Sequence, residues 1–231
     1  MKIGIIGTGN IGGSLTRRFR QLGHEVAIAN SRGPQTLSAL AAETGAKAVT
    51  PKDAVKGRDL VVITIPEAHI KDLPKDLFAG VGQDVVVVDT GNYYPRNRDG
   101  RIDGIEDGLT ESEWVAGQIG RPVIKVFNTI YAEHLLKNGK PKGASGRIAL
   151  PVAGDNQAHK NVVMKLVDQM GFDPIDAGSL NQSWRQQPDT PVYGKDLDAE
   201  ATRHALATAS PERKPEWRAT KNSPGTFEHP A

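Results

Sequence analysis

The chain opens with Met1-Lys-Ile-Gly-Ile-Ile-Gly-Thr-Gly-Asn-Ile-Gly-Gly13, and this stretch restricts the fold more than any other. Lys2 to Ile6 read as a short buried strand, and Gly7, Gly9 and Gly12 stand in the spacing G-x-G-x-x-G. A helical period begins at once, with Ile11, Leu15, Phe19 and Leu22 on one face and Gly23 as its stop. In such a unit the first glycine permits the tight turn and the second lets backbone approach a pyrophosphate. The third lets the helix pack closely on the strand. The helix N-terminus then offers unpaired N–H groups and a partial positive charge to phosphates. Thr8, Asn10 and Ile11 fall inside the same predicted site. Gly-rich turns are common as purely structural features; the order of strand, fingerprint and amphipathic helix is what points to a dinucleotide.

The end of the second strand, Glu25 to Asn30, selects the cofactor. Sites specific for NAD place Asp or Glu there to accept hydrogen bonds from the ribose hydroxyls. Here the chain reads Asn30-Ser31-Arg32-Gly33-Pro34, with no carboxylate to repel a phosphate. Arg32 offers planar donors and Ser31 a hydroxyl, so the expected cofactor is NADP, its 2′-phosphate held by these two residues. A solvated loop arginine is the ordinary alternative.

A chain of 231 residues, 38% hydrophobic and 24% charged, can bury a sizeable core, and aromatics at 5% make that core aliphatic. A net charge of +2 does not argue for nucleic acid or a membrane surface. The absence of cysteine rules out disulfides, thiolate metal sites and cysteine nucleophiles. No metal site is expected. Met1 leads straight into a strand, and no apolar run approaches the roughly 18 residues a membrane span needs. A soluble cytoplasmic protein is the expectation.

Further along, Gln35 to Thr44 read as a short helix, Ala46 to Thr50 as a brief strand and Pro51 to Lys56 as a helical turn. Leu60 to Ile65 and Val85 to Val88 are apolar without alternation, as strands covered on both faces should be. Residues 96–120 read as a long loop with one helical turn near Glu111 to Ala116. Pro122 to Phe127, Arg147 to Gly154 and Phe172 to Asp176 complete the strands. Ala158, Val162, Leu166 and Met170 line a helix started by Asp155 and capped by Gly171. About eight mostly parallel strands with helices on both faces make a doubly wound α/β sheet, a Rossmann fold, over residues 1–178. Residues 179–231 form a Pro-rich C-terminal extension, with Trp184, Trp217 and a helix over Asp198 to Thr208 whose Leu197, Ala201, Ala205 and Leu206 are apolar. It is expected to dock, on the parent domain or a second subunit, with partial disorder after about Pro211 as the alternative. A homodimer is the expected assembly.

Ligands in such a sheet lie beyond the carboxyl ends of the strands. That rule gathers the Gly turn, Ile65-Pro66 with His69, Gly91-Asn92 with Tyr93 and Tyr94, and Asn128-Thr129. His69 is a candidate for proton transfer, although a lone histidine is more often a surface or packing residue. His134 is a weaker one. The two tyrosines are candidates for stacking on a flat ring, and Asn128 and Thr129 for orienting nicotinamide or substrate. No conventional acid–base pair appears, and no Tyr-x-x-x-Lys pair is placed to protonate a carbonyl. Hydride transfer between nicotinamide and a second flat ring depends more on close parallel placement than on a proton relay.

The Gly fingerprint, Asn30-Ser31-Arg32, Asp89-Thr-Gly-Asn92 and Lys125-Val-Phe-Asn-Thr-Ile130 together resemble the NADP-dependent coenzyme F-420 (deazaflavin) oxidoreductases. They also resemble the cytosolic domain of the six-transmembrane metalloreductases, over about residues 1–180. The resemblance implies that Thr8, Ser31 and Arg32 bind the 2′-phosphate and adenosine side. It places the loops after Ile65, Asp89 and Phe127 around the nicotinamide and the flavin-like ring. The membrane domain of the metalloreductases is absent, and the tail from Ser179 is not the usual end of the deazaflavin enzymes. Three readings stand: hydride transfer between NADP(H) and coenzyme F-420 or a flavin as small-molecule partner, reduction of a small imine or carbonyl compound, and a non-catalytic NADP-binding redox sensor.

Overall fold

The computed structural model describes residues 1–212 and 225–230. The first strands and helices are β1 (Lys2–Ile6), α1 (Asn10–Gln21), β2 (Glu25–Ala29), α2 (Ser38–Thr44), β3 (Lys47–Ala48), α3 (Pro51–Val55) and β4 (Leu60–Ile63). Then come β5 (Val86–Asp89), α4 (Asp103–Glu106), α5 (Glu111–Ile119), β6 (Ile124–Lys125), α6 (Ala132–Lys137), β7 (Ala149–Val152), α7 (Gln157–Gln169), β8 (Asp173–Asp176) and α8 (Ala199–Ala207). Six strands form one parallel sheet in the order β3-β2-β1-β4-β5-β6. The order reverses between β1 and β4, and the cleft opens there.

The unbroken apolar strands hide a period of two. Ile3, Ile5, Val62, Val86 and Val88 enter one core layer with Leu15 and Phe19 of α1 and Val163, Leu166 and Val167 of α7. Ile6, Val61, Ile63, Val85 and Val87 enter the opposite layer with Ile70, Tyr93, Trp114 and Val115. Successive strand residues point to opposite faces, so helices on both faces demand apolar side chains at every position. Each fully buried Val or Ile contributes about 1.5–3 kcal/mol relative to exposure.

Several expectations need correction. The main sheet holds six strands; β7 and β8 form a separate parallel pair, joined to it by one antiparallel bridge between Lys125 and Ala153. Phe127 has φ +65 and turns the chain sharply after the two-residue β6, so no third ladder position forms. Leu22 lies past the end of α1 and is exposed. In α7 Ala158 faces solvent, and Val163 and Val167 take the inward places. That helix is capped by Asn156, which accepts from the His159 amide at 3.1 Å, while Asp155 accepts from the Leu180 amide at 2.9 Å. Residues 96–120 are not an open loop: a π-helical turn (Pro95–Asp99), α4 and α5 occupy most of the segment. A reciprocal capping box starts α5, with Thr110 N–H donating to Glu113 at 3.0 Å and Glu113 N–H to the Thr110 hydroxyl at 3.2 Å.

The extension packs along the parent domain. Its 3-10 turn, Leu180–Gln186, sends Leu180 into the second core layer. Val192, Ala205 and Leu206 pack with Ala149 and Ile175 on the β7–β8 pair, and Ala149 N–H donates to the Leu197 carbonyl at 2.8 Å. Trp217, and most of the stretch after Pro211 to which the alternative of partial disorder applies, fall on residues outside those described. Within residues 225–230, which are described, the Gly225 carbonyl accepts from Arg96 Nε at 2.8 Å. Among the described residues no helix is long and apolar enough to cross a membrane.

Candidate functional site: a two-lobed cleft at the Gly-rich turn

Gly7 and Gly12 are fixed by sterics. Gly7 has φ +102, and a Cβ on Gly12 would lie 2.0 Å from the Gly7 carbonyl oxygen, so α1 rests directly on the turn. At Gly9 a Cβ would meet nothing within 4 Å, because the position faces the cleft. The first turn of α1 carries no acidic residue and no side-chain cap, which leaves its N–H groups available to an anion.

The cleft has two lobes that share Gly9, Thr64, Ile65 and Pro66. The first, about 540 Å³, is walled by Gly7, Thr8, Asn30, Ser31, Arg32 and His69 among others. Asn30 Oδ1 accepts from the Arg32 amide at 3.0 Å, and Asn30 Nδ2 donates to Thr36 at 2.9 Å, which locks the turn and turns Arg32 outward. Among the described residues the Arg32 guanidinium has no hydrogen-bond or ion-pair partner. His69 sits on the rim, exposed, with Nδ1 2.8 Å from Asp72.

The second lobe, about 460 Å³, is lined by Asn10, Ile11, Gly91, Asn92, Tyr94, Arg98, Phe127, Asn128, Tyr131 and Tyr193 among others. Three amide side chains tie its walls together. Asn128 Nδ2 donates to Asn92 Oδ1 at 3.1 Å, Asn92 Nδ2 to the Asn128 carbonyl at 3.0 Å, and Gln186 Nε2 to Asn128 Oδ1 at 3.0 Å. Gln186 belongs to the extension, which therefore helps to build the lobe. Phe127, 2% exposed, stays in its left-handed conformation because packing holds it, at a cost of about 1–3 kcal/mol.

Of the predicted positions, Gly12 and Thr129 lie outside the cleft wall. Gly12 is buried beneath the turn, and Thr129 is 3% exposed with its carbonyl accepting from the Gly194 amide at 2.9 Å. Tyr93 is fully buried, its hydroxyl accepting from the Ile102 amide at 3.0 Å, and cannot stack on a ligand; Tyr94 can reach the lobe. His134 pairs with Asp196 at 2.7 Å beside a wider groove of about 940 Å³ that runs along α1 from Thr8, Gly9 and Asn10 to Arg17. That groove's other charges are paired too, Arg17 with Glu43 at 2.5 Å and Glu133 with Lys137 at 2.8 Å.

Sequence reasoning missed the charged group beneath the second lobe. Lys125, at the end of β6 and 0% exposed, donates to the Gly91 carbonyl at 2.6 Å and to Asp89 at 3.2 Å, with Glu111 at 3.5 Å. Asp89 also accepts from Gly91 N–H at 2.9 Å and from the Ser112 hydroxyl at 2.6 Å. Both polar groups of Gly91 are thus clamped from below. Burial pushes Lys125 down, but the Asp89 and Glu111 carboxylates outweigh it, and the ammonium is held above its ordinary range. Glu67 is fully buried under Gly91, whose Cβ, if present, would lie 2.3 Å from Glu67 Oε1. Burial first, and the Asp89 charge second, push this carboxyl well up. Asp89 and Lys125 stand inside motifs already noted, but nothing local marks their pairing with Glu111 or Glu67.

The profile of the family described as NADP oxidoreductase, coenzyme F420-dependent, matches residues 2–93. The crystal structure of a hypothetical protein from Sinorhizobium meliloti is similar, with 31% identity, a TM-score of 0.73, and 85% of this chain and 95% of that one covered. Rat metalloreductase STEAP3 is 26% identical over 182 residues, which is 78% of this chain and 34% of the relative. An Arthrobacter protein described as a candidate F420-dependent NADP reductase shares the fold at 24% identity and TM-score 0.65, over 79% of this chain and 87% of that one. The chain spans 34% to 60% of the length of the curated relatives it matches. The fingerprint, the turn that α1 rests on and these likenesses agree: residues 2–93 carry the domain of the coenzyme F420-dependent NADP oxidoreductase family, and the chain is related to metalloreductase STEAP3.

Proposed function

We propose that the protein moves a hydride between NADP(H) and a planar acceptor, coenzyme F-420 or a flavin, held in the second lobe. One observation carries this reading. The Arg32 guanidinium, without a partner among the described residues, and Ser31 stand at a strand end without a carboxylate, and the lobe they border runs past Gly9 into one walled by tyrosines. NADPH, when bound, supplies the hydride. The backbone at Thr8 to Ile11 holds the pyrophosphate, and Ser31 and Arg32 grip the 2′-phosphate with charge-assisted hydrogen bonds. Ile65 and Pro66 cover the turn between the lobes and keep water from the reacting face. Asn92 and Asn128 orient the nicotinamide amide, their own side chains fixed by each other and by Gln186. With this reading go residues 1–178 as the nucleotide-binding domain and 179–231 as its extension, a cytoplasmic location and a homodimer. Stopped-flow oxidation of NADPH on adding coenzyme F-420 or riboflavin tests the reading. Tight NADPH binding without turnover on either acceptor would replace it with the sensor.

A further inference from the structure

Three of the protein's four tyrosines, Tyr94, Tyr131 and Tyr193, line the second lobe, although they come from segments far apart in the chain. Tyr94 follows the Asn92 loop, Tyr131 follows β6, and Tyr193 belongs to the extension. The hydroxyls of Tyr94 and Tyr193 are hydrogen-bonded to each other, and Arg98 lies over the Tyr94 ring at 5.0 Å. Tyr131 stands 61% exposed at the mouth. Tyr193 is held in place from both sides. The next residue, Gly194, donates to the Thr129 carbonyl at 2.9 Å, and Val192 is buried against the β7–β8 pair. No local spacing pairs a tyrosine with a base here; the fold assembles two phenols instead.

We infer that the Tyr94–Tyr193 hydroxyl pair is the proton donor to the acceptor, so that the C-terminal extension contributes a catalytic residue to the site. The inference rests on the proposed reduction of an acceptor in this lobe. Each turnover oxidises NADPH to NADP⁺ and adds a hydride with its two electrons to one atom of the acceptor. The electron pair displaced onto a ring nitrogen or oxygen then takes a proton. One phenol O–H bond breaks and one heteroatom–H bond forms. The phenolate left behind is stabilised by its partner's hydroxyl and regains a proton from water. Burial pushes both phenols above their ordinary values, so both enter the turnover protonated. General-acid help of this kind is worth about 10²- to 10⁴-fold in rate.

The test compares wild type with Tyr193→Phe and Tyr94→Phe, each of which removes one hydroxyl and leaves the ring. NADPH affinity, riboflavin affinity of the NADP⁺-loaded protein by fluorescence quenching, and single-turnover rates in H₂O and D₂O are measured for all three. The expected result for Tyr193→Phe is an unchanged pair of affinities, a rate lower by about 10²-fold and loss of the solvent isotope effect. Tyr94→Phe should show the same pattern more weakly. Rates within threefold of wild type with the isotope effect intact in both variants would overturn the assignment. So would a fall in rate matched by an equal fall in riboflavin affinity, which marks a packing role. Wild type that oxidises NADPH with neither riboflavin nor coenzyme F-420 would remove the parent reading itself, an outcome distinct from a variant that keeps full activity.

Discussion

The lobe at Arg32 takes its walls from residues 6–9, 30–32, 51, 64–66, 69 and 72–74, and its guanidinium is exposed and, among the described residues, unpaired. The lobe at Tyr94 draws on residues 9–11, 64–66, 90–92, 94, 98, 127–128, 130–132 and 193, and stands on a lysine and three acidic side chains that water does not reach. An open guanidinium costs nothing to keep until an anion arrives. A buried ammonium among carboxylates is tolerable only while every partner is in place. The first lobe can therefore be altered for a change of cofactor with little effect on stability, whereas the second is bound up with the core.

The largest expected effect comes from Lys125→Met. It leaves Asp89 and Glu111 buried without their counter-charge and frees the Gly91 carbonyl, and it should cost about 3–5 kcal/mol in denaturant unfolding. A cost below about 1 kcal/mol would show the cluster to be incidental. The double change Ser31→Ala/Arg32→Ala should do the reverse. Unfolding midpoints stay within error, while calorimetry shows NADPH binding weakened by about tenfold to a hundredfold and NADH binding unchanged. Equal losses for both nucleotides would mean that Arg32 does not meet the 2′-phosphate.

Gln186→Ala sharpens the contrast from the side of the extension. Asn128 Oδ1 loses its buried donor at 3.0 Å, with an expected cost of about 1–3 kcal/mol and a weaker grip on riboflavin. NADPH affinity should fall less, because Gln186 bonds Asn128 at the nicotinamide end and no residue at the Arg32 end, where the phosphates are held. Loss of both affinities alike would show that the lobes are one unit.

How much of this could be read in the chain follows the same divide. The Gly turn, α1, the strand ends and the Arg32 lobe are written in consecutive residues, so their spacing carries the information. Thr110 and Glu113 also lie in plain view as a capping box, and the segment around them reads as loop only if that signal is passed over. Tyr93 and Tyr94 are indistinguishable in sequence, yet one is core and the other wall; the turn of backbone between them decides. Lys125 stands in an apolar strand where a charge looks misplaced, and its partners are Asp89, on the neighbouring strand, and Glu111, on a helix between the two. Tyr193 and Gln186 reach the site only because the extension packs back along the sheet. None of these contacts has a period or spacing for a sequence to show.

The smallest expected effect concerns Glu67, whose carboxyl is raised by burial and by the Asp89 charge. A carboxyl that holds its proton more tightly when folded binds more protons in the native than in the unfolded state between its two pKa values. Stability contributed by this group is therefore full below the ordinary carboxylate value and falls as pH rises toward the raised value. Glu67→Gln keeps the shape and removes the titration. The variant should match wild type near pH 4 and become the more stable of the two as pH rises through neutrality. Paired denaturant curves across that range measure the difference directly. A constant difference would mean that Glu67 titrates normally, with Lys125 shared among three ionised carboxylates; a growing one in favour of Gln would mean that the floor of the second lobe holds a neutral acid.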